Sequence, residues 1–442
     1  MPAESQTVQL RFSDLKDYFI SGCKKPDELT LGVEWEKLGV YRDSGAAIPY
    51  SGPRGVEAVL RALAREYRWQ PVFSKKHIIA LQKPGRSITL EPGGQIELSG
   101  QNAPRLEQNA QELYSHLEEI KAVSEDLGIA WLALGAQPFS IHEGIEWVPK
   151  ERYAIMRESL KDKGTRTYSM MKESAAVQVS LDYTHEADAV QKFRLAMALS
   201  PILTAVFANS PFEEGRVTEF LSRRAHIWAR TDPDRTGILW QVFDAGFRLD
   251  DYVEYALSVP CLFIQRSDRW IRIAKPMTFR DYLDNGFESY QATESDWELH
   301  LSSIFTEARF KKYIEIRSID CQKPALGLAA AAFLKGLFYH DASREAAWRL
   351  LAPYSISDRK KLKMTAPKTG LQSLLGNQAV GSVASKLLQL AKEGLKEEAA
   401  YLGPLEELLE QGASPAERLL ARLRNAKKPV KIKDKILEWC AI

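Results

Sequence analysis

Cysteine is scarce in this 442-residue chain: there are four, at 23, 261, 321 and 440, and no two form a C-x-x-C pair. That excludes a disulfide framework or a structural zinc site and fits a reducing compartment. Net charge is nearly absent as well, with 60 Lys and Arg against 58 Asp and Glu. So balanced a chain has no nucleic-acid footprint, which leaves small molecules as the expected partners. No apolar run is long enough for a membrane. The longest, residues 325–339, is interrupted by Lys335 and falls short of the roughly 18 to 20 residues a span requires. Residues 1–10 lack the basic start and apolar stretch of a secretory signal, so a cytoplasmic protein is expected. Missing too are a phosphate loop G-x-x-x-x-G-K-[ST], a G-x-G-x-x-G after a strand, H-E-x-x-H and G-x-S-x-G. With them go the standard nucleotide-loop, dinucleotide, zinc-protease and serine-hydrolase readings.

What is present is a set of strand patterns with charge on one face. In Tyr313-Ile314-Glu315-Ile316-Arg317-Ser318-Ile319-Asp320, alternation projects Glu315 and Arg317 together and turns the isoleucines away. A buried acid and base on one face mean either a salt bridge or a site for metal-bound phosphate. The device recurs. Leu31 to Val40 puts Glu34 and Glu36 on one face with Trp35 and Lys37 on the other, and two acids so close call for something positive above them. Ser87 to Ser99 places Glu91 before Pro92-Gly93-Gly94 and Glu97 after it. Five acids with no Cys or His among them describe a site for magnesium or manganese rather than zinc, because hard cations take oxygen ligands.

The rest of the chain supplies the frame. Helices are expected up to Gly22, over 55–67, from Pro104 to a stop at Gly128, over 151–160 and over 187–208, the last broken or kinked at Pro201. His116 in the third of these reads as a surface or core residue. Strands are expected at 69–73, 77–81, 129–134 and 175–182. In the last, Gln178, Ser180 and Asp182 alternate with apolar residues, as on a half-buried strand. Whether Pro92-Gly93-Gly94 closes a hairpin or bends one strand is open. Residues 222–237 read as a turn-rich loop whose four arginines and Trp228 suit an anionic substrate. From about 323 the chain reads as mostly helical, with Ser414-Pro415-Ala416-Glu417 a capping box. The lysines between 427 and 435 read as a solvated face.

An antiparallel sheet with acids for divalent ions and arginines for anions suits phosphoryl transfer from ATP. At this point six ordered motifs coincide: Gly32 to Lys37, Ser87 to Gly100, Val177 to Asp182, Ala208 to Phe212, Arg224 to Trp228 with Asp234 to Gly237, and Tyr313 to Asp320. Together they closely resemble glutamate-cysteine ligase of the type shared by plants and many bacteria, in register from about residue 30 to 340. The resemblance implies an α+β, glutamine-synthetase-like fold, with an antiparallel sheet of about six strands forming an active-site funnel packed with helices. It implies one catalytic domain over 1–442, as monomer or homodimer, using ATP and magnesium or manganese to join L-glutamate to L-cysteine. By that resemblance Glu34, Glu36, Glu91, Glu97 and Glu315 match metal-binding acids, and Arg317 matches an arginine facing the transferred phosphate. Gln178 stands where relatives place a further metal-site ligand, and it counts with Arg224, Arg235 and Trp228 among substrate-binding residues. Arg224 and Arg235 fit best for the glutamate α-carboxylate, the choice between them being open. The plant members' redox cysteine pairs have no evident counterpart here. Two other readings stand beside this one: a carboxylate-amine ligase with a different amine, and a non-catalytic binding protein with a structural cation, which would leave Arg317 and the arginine segment without a purpose.

Overall fold

The computed structural model describes residues 10–426 and 431–442. At its centre lies a nine-stranded sheet, built from β1 (Leu31–Tyr41), β2 (Gln70–Ser74), β3 (His77–Lys83), β4 (Arg86–Leu90), β5 (Ile96–Ser99), β6 (Ile129–Leu132), β7 (Ala176–Leu181), β8 (Ala308–Phe310) and β9 (Ile314–Asp320). The order is β8-β9-β7-β1-β5-β4-β3-β2, with β6 joined to β1, and every pairing is antiparallel. The count exceeds the expected six, and part of the excess arises because β1 is 11 residues long and takes a further neighbour. It pairs with β7 along Leu31–Trp35 and then with β6 along Leu38–Tyr41. The three-residue β8 is too short for alternation to reveal.

The question left open at Pro92-Gly93-Gly94 resolves as a hairpin between β4 and β5. Gly94 N–H donates to Glu91 O (2.9 Å) and Glu91 N–H to Gln95 O (3.0 Å). Gly94 sits at φ +82°, a left-handed conformation that costs glycine little.

Alternation divides the sheet into two faces. Val33, Trp35, Ile88, Leu98, Val177, Val179, Ile314 and Ile316 are buried on one of them, covered by helices that include Leu106–Glu125, Glu186–Val206 and Pro324–Phe338. Helix Pro324–Phe338 comes so close that a Cβ on Gly327 would stand 2.6 Å from the Trp35 ring. Helix Glu186–Val206 runs through Pro201 instead of breaking there. Pro201 has no N–H for the Met197 carbonyl, and the Ser200 hydroxyl donates to that oxygen instead (3.0 Å). His116 is a core residue, its Nε2 3.0 Å from the Lys37 ammonium behind β1. Burial holds His116 well below the usual range and Lys37 down to about 8.

The 222–237 segment departs from expectation by opening with a helix, Arg223–Trp228, N-capped by the Ser222 hydroxyl, which accepts from Ala225 N–H (3.1 Å). Six residues are too few for helical periodicity to register. The expected N-terminal helix is Phe12–Ile20, residues 1–9 lying outside the described residues. From Pro324 onward the described chain is helical apart from a small hairpin at 374–379, and Ser414 forms its capping box with Glu417. Of the lysine-rich tail, 427–430 lie outside the described residues. Lys433 donates to Asp43 O (2.5 Å) and is tethered there, whereas Lys435 pairs with the exposed Glu438 one turn on (2.7 Å), in keeping with a solvated face. No helix among the described residues is long and apolar enough to cross a membrane.

Candidate active site

The polar face of the sheet floors a cavity of about 290 Å³. Register assembles its acidic wall. Glu36 lies opposite Glu97 and Glu34 opposite Gln178, and cross-strand partners share a face. Glu34, Glu36, Glu91 and Glu97 thereby surround one space. Glu36 accepts from Gln178 Nε2 and from Ala176 N–H, each at 2.7 Å. Glu97 Oε1 accepts from Thr89 Oγ1 (2.9 Å) and Ser99 Oγ (2.8 Å). Burial first, then repulsion between the acids, pushes Glu36 up to about 8, Glu91 up to about 6 and Glu34 well above the carboxylate range. Glu97 is a repelling charge for all three.

As the side chains stand, no three His, Cys, Asp or Glu among the described residues are grouped to hold a metal ion. The chemistry of the donor set still fits a hard cation. Its acids offer oxygen ligands and are crowded and buried, and burial with mutual repulsion is what the raised values express.

Glu315 is placed differently from the other four acids. Arg309 grips it through Nε (3.1 Å) and Nη2 (2.7 Å), with Lys311 at 3.4 Å and Arg317 Nη1 at 2.5 Å. Burial pushes the carboxyl up, but the three cations prevail and hold it well below the usual range. Arg309 Nη1 donates to Ser302 O and Ile304 O, so all of that guanidinium is committed. Arg317 engages only Nη1, to Glu315 and to Gln178 Oε1 (2.5 Å), between the rings of Trp228 and Phe305.

The second cationic feature rests on helix Arg223–Trp228. Arg224 Nη2 donates to Arg317 O (2.9 Å), while its Nε and the Trp228 Nε1 are buried without a partner. Asp320, at the end of β9, fixes this helix. It accepts from Asn209 N–H (2.9 Å), Ser210 Oγ (2.7 Å) and Ser222 Oγ (2.9 Å), the last being the helix cap. Gly135 leaves room for it, since a Cβ there would stand 2.3 Å from the Asp320 carboxyl carbon.

Of the residues singled out in the sequence, Glu34, Glu36, Glu91, Glu97, Gln178, Arg224, Trp228 and Arg317 line the cavity, with Glu315 directly behind Arg317. Arg235 does not line it. Its buried guanidinium is committed to Asp232 (2.7 Å), Ser303 O (3.2 Å) and Pro260 O (3.0 Å), so of the two arginines Arg224 is the one that faces the cavity. Four lining cations escaped the sequence reading: Lys150, Arg152, Arg309 and Lys311. Arg309 and Lys311 alternate immediately before Tyr313, a legible period-2 signal. Lys150 and Arg152 reach the site from the start of helix Glu151–Leu160, and only the fold brings them there.

The solved glutamate–cysteine ligase of Francisella tularensis in complex with AMP shares the fold, with a TM-score of 0.56 at 14% identity over 93% of this chain and 87% of that one. Residues 30–435 match the model of glutamate-cysteine ligase family 2. The chloroplastic glutamate–cysteine ligase of Arabidopsis thaliana is 41% identical over 421 residues, covering 94% of this chain and 80% of that protein. That of Medicago truncatula is 39% identical over 421 residues, 94% and 82% respectively. The chain belongs to glutamate-cysteine ligase family 2.

Proposed function

We propose that this protein joins the γ-carboxylate of L-glutamate to the amino group of L-cysteine at the expense of ATP, through a γ-glutamyl phosphate, as the first step of glutathione synthesis. The observation that carries the reading is the opposition, within one cavity, of four crowded carboxylates and the uncommitted donors of Arg224, Trp228 and Arg317. A free carboxylate does not acylate an amine, because oxide is too poor a leaving group; phosphorylation supplies a better one. Arg224 Nε and Trp228 Nε1 would hold the glutamate α-carboxylate, and Arg317 would follow the phosphoryl group as it crosses to the γ-carboxylate. The cysteine amine then attacks the acyl carbon of the γ-glutamyl phosphate, the C–O bond to phosphate breaks and inorganic phosphate leaves, and the amine's proton passes to a carboxylate of the cavity, while exclusion of water protects the intermediate. Magnesium or manganese held by Glu34, Glu36, Glu91 and Glu97 would neutralise charge on ATP and the departing ADP.

In this reading residues 1–442 act as one catalytic unit, monomer or homodimer, in a reducing cytoplasm. The free cysteines agree with a reducing setting, whereas the plant relatives are named chloroplastic. The test is ADP release with glutamate alone, cysteine alone and the pair. Turnover with another amine and none with cysteine would assign the chain to a ligase of different acceptor.

Metal binding should depend on pH with a defined sign. Glu36 and Glu91 keep protons up to about 8 and about 6, whereas unfolded glutamates lose theirs near 4.3. These acids favour the metal-free fold at low pH, and that contribution is lost as pH rises toward 8. A cation must displace the protons, so its stabilisation should be small at pH 5 and full above about 8. Melting temperatures with magnesium and with chelator across that range check this; a magnesium increment independent of pH would remove these acids from the metal site.

The cysteines should be dispensable. Cys321 and Cys440 are buried, which pushes both thiols up to about 12. Cys321 Sγ donates to Glu36 O (3.0 Å), a bond that serine can keep. Changing all four to serine should leave ADP formation within a few-fold and insensitive to mild oxidant. Thiol-reversible inactivation of the parent protein would contradict this.

A further inference from the structure

Beside the main cavity lies a recess of about 20 Å³ that shares Arg224, Trp228, Phe305 and Arg317 with it. That is room for about one water-sized group. Its hydroxyls are committed: Thr204 Oγ1 donates to Ser200 O (3.1 Å) and Thr306 Oγ1 to Ala308 O (2.6 Å). Arg224 Nε and Trp228 Nε1 are buried without a partner, and the acid in the lining is Glu307. It is half-buried, held by Gly237 O accepting from its N–H (2.9 Å) and by Arg317 N–H donating to its carbonyl (3.1 Å). One carboxylate oxygen, Oε2, accepts from Ser318 Oγ (3.0 Å).

An α-amino acid presents a carboxylate and an ammonium on one carbon, so a site that reads it needs donors and an acid side by side. Arg224 Nε and Trp228 Nε1 are unpartnered donors, and Glu307 lines the same recess as both residues. We propose that Glu307 receives the α-ammonium of glutamate in this recess, so that the enzyme selects an α-amino acid over a plain dicarboxylic acid. The proposal rests on the reading that Arg224 and Trp228 hold the glutamate α-carboxylate. An ammonium is water-sized and fits the recess, whereas a carboxylate does not. Its placement by backbone bonds to Gly237 and Arg317 gives Glu307 a fixed position relative to both guanidinium groups.

The experiment compares glutamate with glutarate, which lacks the ammonium, in the full-length enzyme and in Glu307→Gln, with Glu307→Asp as the conservative variant. Readouts are the KM for glutamate, the Ki of glutarate as its competitor, and the KM for ATP. In Glu307→Gln, glutamate affinity should fall at least about tenfold, less than the loss of one partner of a fully buried charge pair because Glu307 is half-buried. Glutarate Ki and ATP KM should move less than about threefold, and Glu307→Asp should recover part of the loss. Equal losses for glutamate and glutarate, or an unchanged glutamate KM, would overturn the assignment. An inactive parent enzyme with glutamate and cysteine would instead overturn the proposed function, so the two failures are distinguishable.

Discussion

Glu97→Gln is expected to lower kcat/KM by at least about a hundredfold, since losing one group that stabilises the transition state costs a few kcal/mol, while making the metal-free protein more stable. Glutamine keeps an oxygen that can accept from Thr89 and Ser99, so the strand register need not change. What disappears is the charge that repels Glu34, Glu36 and Glu91. Opposite signs in activity and stability mark a site whose strain serves its function. The check is the rate of ADP formation over a magnesium titration, beside melting temperatures in chelator. A normal rate, or a rate lost together with stability, would mean that Glu97 is a structural residue. Glu315→Gln is a poorer test, because it would strip the shared counter-ion from Arg309, Lys311 and Arg317. Breaking a buried pair in that way costs about 3 to 5 kcal/mol of stability.

The second large effect belongs to Arg317. Only Nη1 is engaged within the protein, which leaves the rest of the fork for two oxygens of a phosphoryl group. Arg317→Lys keeps the charge but offers one compact donor. It should lower kcat on the order of a hundredfold with little change in glutamate KM, the pattern of a contact made mainly in the transition state. If the residue is chiefly the partner of Glu315, kcat will stay near normal and the melting temperature will fall. Both quantities measured on that one variant separate the cases.

The sheet was legible where side chains alternate over many residues. β1, β7 and β9 show their two faces in the sequence, and Glu34 and Glu36 follow from that alternation, whereas Glu91 stands in the turn before β5. Three-residue β8 and six-residue helix Arg223–Trp228 were not legible, because neither completes enough periods. Arg235 and Arg224 look equivalent in the sequence, and what separates them is tertiary: the carbonyls of Pro260 and Ser303 join Asp232 in claiming the Arg235 guanidinium. Glu315 and Arg317 could be seen to share a face, but not that Arg309, from the neighbouring strand, would join them. Asp320 was visible only as the end of a strand. Its partners come from residues 209, 210 and 222, which no local pattern connects.

Asp320 and the Arg224-to-Arg317 carbonyl bond have an evolutionary corollary. The guanidinium that would read the acid substrate and the one that would accompany its phosphate are joined through backbone, one donating to the carbonyl of the other (2.9 Å). The Arg224 guanidinium is therefore positioned against the backbone of Arg317 at the seam between strand and helix, and a substitution that shifts that backbone displaces both residues. A lineage or a laboratory selection seeking a longer or shorter acid should find single changes at Arg224 costly to turnover as well as to recognition. Accepted solutions should cluster as coupled changes along that seam, at 209–210, 222 and 318–320, with non-additive effects.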